Sequence, residues 1–268
     1  MSLRNDQSLW KFPALGLDAN KYSRGHVVVL GGYPMTGAAR LVARTAARAG
    51  AGMVTIGTQA SALDSYLASV ESILVKPADD SHQWGELLVK ANAVVVGPGA
   101  GVGERTKSIV LESLRCLVPI VLDADALTSF AGSVDDLVEA AHPQLVMTPH
   151  EGEFSRLFDI DGDRQTRASS AAKTIGGAVV LKGNRTVIAA PDGRVVVNDN
   201  APPTLATAGS GDVLAGLIAS LMARGMTAFD AACAGVWVHG EAANRAMPGL
   251  IADDLPELIA PVLADLTS

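Results

Sequence analysis

Short apolar runs alternate along the chain with longer, alanine-rich stretches. Most runs are continuous rather than broken by a polar residue at every second position, which predicts strands covered on both faces of a sheet. The predicted strands are 27–30, 53–56, 93–96, 120–122, 145–147 and 178–181. Strands separated by helical stretches are typical of βαβ units, so we expect an α/β fold with a three-layer, doubly wound and mostly parallel sheet.

The stretches between the runs predict helices, and one pair of runs predicts a hairpin. Thr36 stands where a cap of the first helix is expected, and Gly50 and Gly52 follow its end. Runs 186–190 and 195–197 flank a Pro-Asp-Gly turn, which predicts an antiparallel hairpin at one edge of the sheet. The predicted helices are 38–49, 106–114, 152–157, 164–175, 211–223, 228–246 and 255–266.

Length and composition favour one large domain. The 268 residues contain no internal repeat, low-complexity tract or linker, so we expect a single domain over residues 1–268. Hydrophobic residues make up 49% of the chain, aromatic residues 4% and charged residues 18%. The longest apolar stretches, such as 213–223, fall short of the roughly 20 residues that cross a membrane, so we expect no membrane association.

Charge and cysteine content exclude further classes. A net charge of −7 gives no general attraction to a phosphate backbone, so we expect no nucleic acid partner. Cys116 and Cys233 are far apart in sequence and form neither a disulfide framework nor a CxxC site. Residues 1–20 lack the zones of a secretory signal, so a cytoplasmic location is expected.

Candidate functional residues follow the predicted strands. Open α/β sheets bind ligands at the carboxyl ends of their strands. Glycines and polar residues concentrate there in the stretches 31–37, 97–101, 123–125, 148–153, 182–186 and 208–212.

The 208–212 loop is the most informative of these stretches. Its small residues Gly209, Ser210 and Gly211 lead into an apolar helix, and free N–H groups at a helix start favour phosphate. Asp212 would repel a phosphate, but it can act as a general base on a hydroxyl group that attacks phosphorus. The alternative is that Asp212 is an ordinary capping carboxylate.

A second polar stretch follows the last strand before the predicted hairpin. Its lysine, glycine and hydroxyl group can bind the phosphate or ribose of a nucleotide, and the alternative is a polar hairpin connection. These residues are Lys182, Gly183, Asn184, Arg185 and Thr186. The glycines of 97–103 occur at every second position and lack the GxGxxG order of a dinucleotide fingerprint.

Acidic residues and histidines supply the remaining candidates. Asp123 and Asp125 can share a magnesium ion or position a substrate, or they can cap a strand-end turn. The helix dipole explains the glutamates at the start of helix 152–157, whereas it gives His150 no role, so His150 is a candidate for ligand contact. His239 is expected at the periphery of the site.

Together these segments resemble the NAD(P)H-hydrate dehydratases of the ribokinase-like superfamily. The resemblance covers about residues 22–263 and depends on the order of several short segments rather than on one motif. The segments are 31–32 with 37–38, 48–55, 97–99, 122–127, 148–153, 181–183 and 206–214.

The resemblance implies the repair of damaged nicotinamide cofactors. NADH hydrate and NADPH hydrate carry a hydroxyl group at C6 of the nicotinamide ring, and Asp212 would deprotonate it for attack on the terminal phosphate of ADP or ATP. Loss of phosphate would then give NADH or NADPH, with AMP or ADP as the other product. ADP is the expected co-substrate, and Mg²⁺ is expected to bridge its phosphates.

The same resemblance implies roles for individual residues. Asp212 would be the catalytic base, next to an anion hole formed by Gly209, Ser210 and Gly211. The nucleotide would contact Gly211 together with Lys182, Gly183, Asn184, Arg185 and Thr186. The hydrated dinucleotide would contact Ala38, Gly99, Gly101, His150 and Asp212.

Two features depart from the family pattern. Residues 201–205 read Ala-Pro-Pro-Thr-Leu where the family usually has Gly-Pro-Gly-Met, on the nucleotide side of the loop. Many relatives begin with an epimerase domain, whereas only a short segment precedes the first strand here, so a separate NAD(P)H-hydrate epimerase is the expected pathway partner. We also expect a homo-oligomer.

Two other functions remain open at this point. A small-molecule kinase of the same fold, acting on a sugar, a hydroxymethylpyrimidine, a thiazole alcohol or pyridoxal, would use the same aspartate, because fold does not fix substrate. A nucleotide-binding protein without turnover would have no need of Asp212, so the intact loop argues against it.

Overall fold

A ten-stranded sheet runs through the middle of the molecule in a computed structural model that describes residues 2–13, 15–68 and 71–267. The order across the sheet is β1-β10-β9-β8-β7-β6-β5-β2-β3-β4. The strands are β1 (Leu3–Arg4), β2 (His26–Leu30), β3 (Met53–Thr58), β4 (Leu74–Pro77), β5 (Ala93–Val96), β6 (Ile120–Leu122), β7 (Leu145–Met147), β8 (Ala178–Leu181), β9 (Thr186–Ala189) and β10 (Val195–Asn198). From β4 to β8 all neighbours are parallel, whereas β9 is antiparallel to both β8 and β10.

Helices cover both faces of this sheet. They are α1 (Gly37–Arg48), α2 (Leu63–Leu67), α3 (Ser81–Leu88), α4 (Glu104–Arg115), α5 (Asp125–Ser129), α6 (Val134–Ala140), α7 (Glu151–Leu157), α8 (Arg164–Ile175), α9 (Ser210–Ala223), α10 (Ala228–Asn244) and α11 (Leu255–Thr267). Buried side chains of α1, α2, α9, α10 and α11 form one core, and those of α3 to α8 form the other. Among the described residues, no helix combines the length and hydropathy required to cross a membrane.

The central strands are apolar at every position because each strand contributes to both cores. In β2, Val27 and Val29 pack into the α1 side, while Val28 and Leu30 pack into the α3 side. The same alternation holds for β5, β6, β7 and β8. Two buried faces therefore explain the continuous apolar runs, and the predicted α/β, three-layer, doubly wound fold is confirmed.

The differences from the predicted elements lie at the edges of the sheet and in short helices. The hairpin of β9 and β10 forms as predicted, but it is not the edge, since β1 pairs with β10 in parallel. The opposite edge is β4, whose Leu74 is 49% exposed, so no continuous apolar run marks it. The short helices α2, α3, α5 and α6 were not predicted, and α10 ends at Asn244, two residues before the predicted end. The expectation of one domain over residues 1–268 stays a prediction.

Close packing of α9 on α1 brings two loops of the site together. Gly216 lies in the middle of α9, where a Cβ atom would collide with the carbonyl oxygen of Val42 on α1. At the start of α9, a Cβ atom on Gly209 would lie 3.0 Å from the Leu41 side chain. The short distance between the helices therefore places the beginning of α9 beside the beginning of α1.

We expect Gly216→Ala to destabilise the protein. In an ordinary helix interior, Gly→Ala raises the free energy of unfolding by about 0.5–1 kcal/mol through backbone entropy. Here overpacking against Val42 lowers it by about 1–3 kcal/mol. Gly85→Ala in α3 is the matched control, because the atom nearest to its new Cβ, at 3.2 Å, is the flexible end of Glu112. Denaturant unfolding should show a loss of stability for the first variant only. Equal stability of Gly216→Ala and wild type would contradict the close packing.

Candidate active site

Loops at the carboxyl ends of the parallel strands converge on the start of α9. The loop after β2 contacts the loop after β5, because a Cβ atom on Gly32 would collide with the carbonyl oxygen of Gly99. The loops after β7 and β8 also meet, since His150 and Lys182 form a parallel β-bridge. The predicted stretches thus form one continuous edge of the molecule, where open α/β sheets bind ligands.

A buried ion pair lies beside the start of α9. The Lys182 Nζ atom is 2.7 Å from the Asp123 Oδ1 atom, and Asp123 is only 2% exposed. A Cβ atom on Gly211 would lie 3.3 Å from Lys182 Nζ and 3.4 Å from Asp123 Oδ2. The pair therefore borders the turn that leads into α9.

Asp212 is the most strongly perturbed carboxyl group of this edge. Burial, followed by the negative charge of Asp123, raises the pKa of Asp212 from 3.8 to about 6, and Asp125 contributes in the same direction. The ammonium group of Lys182 opposes the shift. A carboxylate with a pKa near 6 is largely ionised at neutral pH yet basic enough to accept a proton, which suits a general base.

The backbone at the start of α9 offers donors for an anion. The N–H of Ser210 donates to the Thr207 carbonyl at 3.3 Å. Within the described ranges, the N–H groups of Gly209, Gly211 and Asp212 have no hydrogen-bond acceptor. Free N–H groups at a helix start, together with the helix dipole, favour a bound phosphate.

The 182–186 segment is the turn between β8 and β9. The Thr186 hydroxyl group donates to the Gly183 carbonyl at 3.0 Å, and Arg164 donates to the carbonyls of Leu181 and Lys182. Gly183, Asn184 and Arg185 are exposed in the middle of the turn. The geometry is that of a hairpin connection, and its role in nucleotide binding stays a prediction.

His150 has a structural role that the sequence did not indicate. Its Nδ1 atom accepts hydrogen bonds from the N–H groups of Gly152 and Glu153, while Glu153 accepts one from the His150 N–H. This arrangement caps α7, so the expectation that His150 has no role at the helix start was wrong. Because Nδ1 accepts, the ring proton lies on Nε2, and the side chain is 56% exposed. Its contact with a ligand stays a prediction.

Ala38 lies at the start of α1, beside the loop after β5 that carries Gly99 and Gly101. A Cβ atom on Gly99 would lie 3.3 Å from the Ala38 Cβ atom. The Gly101 N–H donates to Asp125 Oδ2 at 2.8 Å, so this carboxylate anchors the loop after β5. These three expected substrate contacts are thus neighbours in space, and their contact with substrate stays a prediction.

The acidic residues do not make a metal centre by themselves. Asp123 is paired with Lys182, and Asp125 accepts a hydrogen bond from the Gly101 N–H. In the part of the chain that the structure describes, no three His, Cys, Asp or Glu side chains are grouped to hold a metal ion.

His239 is a residue whose importance the sequence did not reveal. It was expected at the periphery of the site, but it is buried on α10, and its Nε2 atom lies 3.3 Å from the Ser210 hydroxyl oxygen. Burial lowers the pKa of His239 to about 4, and the positive charge of Lys182 acts in the same direction. The signal in the sequence was a histidine that directly follows the apolar run 231–238.

Comparison with known proteins places nearly the whole chain in one family. Residues 27–262 match the model of the NAD(P)H-hydrate dehydratase family. The chain is 37% identical to a bifunctional NAD(P)H-hydrate repair enzyme Nnr of Salinibacter ruber, over 95% of this chain and 51% of the relative. It is 36% identical to an ADP-dependent (S)-NAD(P)H-hydrate dehydratase of Neisseria meningitidis, over 93% of this chain and 87% of the relative. The chain thus spans about half the length of the bifunctional relatives that it matches.

Solved structures share the fold. The ADP/ATP-dependent NAD(P)H-hydrate dehydratase from Bacillus subtilis, co-crystallised with ATP and Mg²⁺, superimposes with a TM-score of 0.82 and 26% identity, covering 96% of this chain and 95% of that one. A ribokinase-like superfamily protein of Enterococcus faecalis gives a TM-score of 0.84 at 22% identity, covering 95% and 92% of the two chains. The fold is therefore ribokinase-like, and, on the match over residues 27–262, the chain belongs to the NAD(P)H-hydrate dehydratase family.

Proposed function

We propose that the protein is an ADP-dependent (S)-NAD(P)H-hydrate dehydratase, a carbon–oxygen lyase that returns hydrated NADH and NADPH to the intact cofactors. The observation that carries the proposal is the position of Asp212. Its carboxyl group, with a pKa of about 6, stands beside the free N–H groups at the start of α9 and the Lys182–Asp123 pair. Family membership and the Neisseria relative, which is named for this activity with ADP, support the same conclusion.

Asp212 supplies the base for the first step. It takes the proton from the C6 hydroxyl group of the hydrate, and the oxygen then attacks the terminal phosphorus of ADP with AMP as the leaving group. A phosphate group now occupies C6, and phosphate leaves far more readily than hydroxide. The electron pair of the ring nitrogen expels it, and loss of a proton from C5 restores the double bond. The products are NADH or NADPH, AMP and phosphate.

The start of α9 and Lys182 stabilise the transferring phosphoryl group. The N–H groups of Gly209 and Gly211, which have no acceptor within the described residues, donate to this group, and Lys182 adds a positive charge next to Gly211. The exposed turn 183–185 and Thr186 extend this surface towards the rest of the nucleotide. Ala38 at the start of α1, Gly99 and Gly101 on the loop after β5, and the Nε2 atom of His150, beside Lys182, bind the hydrated dinucleotide.

We expect Mg²⁺ to bind with the nucleotide rather than at a metal site of the protein. The described carboxylates nearest Asp212 are already paired or hydrogen-bonded, and they form no group that holds a metal. The ion would be held mainly by phosphate oxygens, as Mg²⁺ commonly is in phosphoryl-transfer sites. None of the steps above depends on a protein-bound metal.

The wider context of the enzyme follows from its substrate. A dehydratase that takes one epimer of the hydrate is served by an NAD(P)H-hydrate epimerase activity, which we propose as its partner in the repair pathway. The cytoplasmic location and the homo-oligomer stay predictions.

We expect Asp212→Asn to abolish most of the activity and leave nucleotide binding intact. Asparagine has nearly the same shape but cannot accept the hydroxyl proton, and loss of a general base costs about 10²–10⁴-fold in rate. Turnover is measured as recovery of reduced-nicotinamide absorbance from hydrated NADH with ADP, and ADP affinity is measured by calorimetry. Unchanged turnover would remove Asp212 as the base. If wild type restores no NADH with ADP or ATP but phosphorylates an alcohol, the protein is a kinase.

We expect two substitutions beside Asp212 to move the pH dependence of kcat/KM in opposite directions. Activity needs ionised Asp212, so it should fall as the pH drops below about 6. Lys182→Met removes a charge that lowers the pKa of Asp212, so the acid limb should move to higher pH. Asp123→Asn removes a charge that raises the pKa, so the limb should move to lower pH. The pH at the midpoint of the acid limb is compared between each variant and wild type, because both variants also lose maximal rate. Shifts in the same direction would contradict the proposed charge balance.

A further inference from the structure

His239 is a buried polar residue in a place where packing alone would favour an aliphatic side chain. It is 5% exposed, and its neighbours on α10 include the buried residues Val236, Val238 and Ala242. An imidazole in such surroundings loses its hydration, and one hydrogen bond recovers only part of that loss. The His239 Nε2 atom lies 3.3 Å from the Ser210 hydroxyl oxygen, within hydrogen-bond distance.

Ser210 is the fixed point of a turn that is otherwise made of glycine. Its N–H donates to the Thr207 carbonyl, and its hydroxyl group bonds to His239, so the residue is held on both sides. The flanking residues Gly209 and Gly211 carry no side chain that could hold them, and glycine has the widest choice of backbone conformation. The direction of their N–H groups therefore depends on how Ser210 is held.

The imidazole works as a neutral hydrogen-bonding group. Burial and the charge of Lys182 lower the pKa of His239 to about 4, so the ring is uncharged at neutral pH. A second cation next to Lys182 would hold Asp212 in its ionised, less basic form. A neutral ring avoids this effect and still bonds to the hydroxyl group.

We propose that His239 is a positioning residue of the anion-binding turn, which acts through the Ser210 hydroxyl group to direct the N–H groups of Gly209 and Gly211 at the phosphoryl group in transfer. It does not touch the substrate. The identity of the anion rests on the proposed function, whereas the contact between His239 and Ser210 does not.

The same turn of α10 also supports the segment on the nucleotide side. A Cβ atom on Gly240, the residue after His239, would collide with the side chain of Asn200. The Asn200 side chain donates to the Trp237 carbonyl at 2.9 Å, and Asn244 donates to the Asn200 carbonyl at 2.8 Å. His239 thus stands on a part of α10 that is itself fixed, which a positioning role requires.

The test is a double-mutant cycle between His239→Leu and Ser210→Ala. Loss of a whole anion-hole donor costs about 10²–10³-fold in kcat, so a misdirected turn should cost at least about tenfold, with the KM for ADP within about threefold. If His239 acts through Ser210, the double variant is no slower than the slower single variant. His239→Gln, whose amide nitrogen reaches the position of Nε2, should recover most of the rate.

Ser220→Ala is the matched control. Ser220 is a fully buried serine on the same helix, ten residues from Ser210, and its hydroxyl group has no hydrogen-bond partner within the described residues. The same substitution there removes a buried hydroxyl group far from the turn, at about 15 Å along the helix axis. We expect its kcat to equal that of wild type.

A readout without turnover separates this inference from the proposed function. Aluminium fluoride mimics the phosphoryl group in transfer, and AMP is the proposed leaving group, so affinity is measured for AMP with aluminium fluoride. This affinity should fall at least about tenfold in His239→Leu, while affinity for AMP alone stays within about threefold. If wild type restores no NADH, the proposed function fails and calorimetry still tests His239. Two outcomes would overturn the positioning role. One is that the losses of rate in the double-mutant cycle are additive. The other is that His239→Leu changes the melting temperature but keeps the kcat and the aluminium fluoride affinity of wild type. If His239→Leu does not fold, the cycle is run with His239→Asn, whose shorter amide does not reach the position of Nε2 and therefore loses the bond to Ser210.

Discussion

An ion pair between the buried carboxylate of Asp123 and the partly buried Lys182 organises the carboxyl edge of the sheet. Asp123 follows β6 and Lys182 follows β8, so the pair spans the end of β7 and ties three strands to one point. Removing Asp123 from water is costly, and the ammonium group at 2.7 Å offsets that cost. The same two charges act on Asp212 in opposite directions, and burial decides the balance in favour of a raised pKa. The interaction that fixes the edge therefore also sets the basicity of the proposed catalytic group.

The rest of the site consists of backbone brought close together. Contacts between the loops after β2 and β5, and between α1 and α9, leave no room for a Cβ atom at Gly32 and Gly216. These approaches place the start of α9 beside the expected substrate contacts at Ala38 and Gly99. Aromatic residues make up only 4% of the chain, which agrees with a site of glycine turns and N–H donors rather than of stacking side chains.

The face of α1 that turns away from the sheet differs from a simple solvated surface. Its arginines line a groove of about 960 Å³, and Arg44 and Arg48 both bind Glu257 of α11 at 2.7 Å. This side of the molecule is therefore held by charge pairs between helices as well as by the apolar core beneath them. Because these pairs are partly exposed, we attribute the packing of α1 mainly to the core.

The sequence by itself determined the central strands, the long helices and the stretches that line the carboxyl edge. Strands such as β5 and β6 were identified to the residue, because burial on both faces leaves a short, continuous apolar run whose ends are marked by polar residues, glycine or proline. The edge strands β1 and β4 and the short helices lacked that signal, because their residues are exposed or contribute few side chains to a core. The small-residue loop before α9 led to the expectation of a phosphate site from the order of its residues alone, and its role stays a prediction.

Tertiary structure decided how these residues act on one another. The pairing of Lys182 with Asp123, 59 positions apart, depends on strand order across the sheet, which no local pattern encodes. The capping role of His150 depends on the ring orientation at the start of α7, and the contact of His239 with Ser210 depends on the packing of α10 against α9. Burial and charge at these distances set the pKa of Asp212, so the sequence could propose this residue as the base, but only the folded chain raises its pKa.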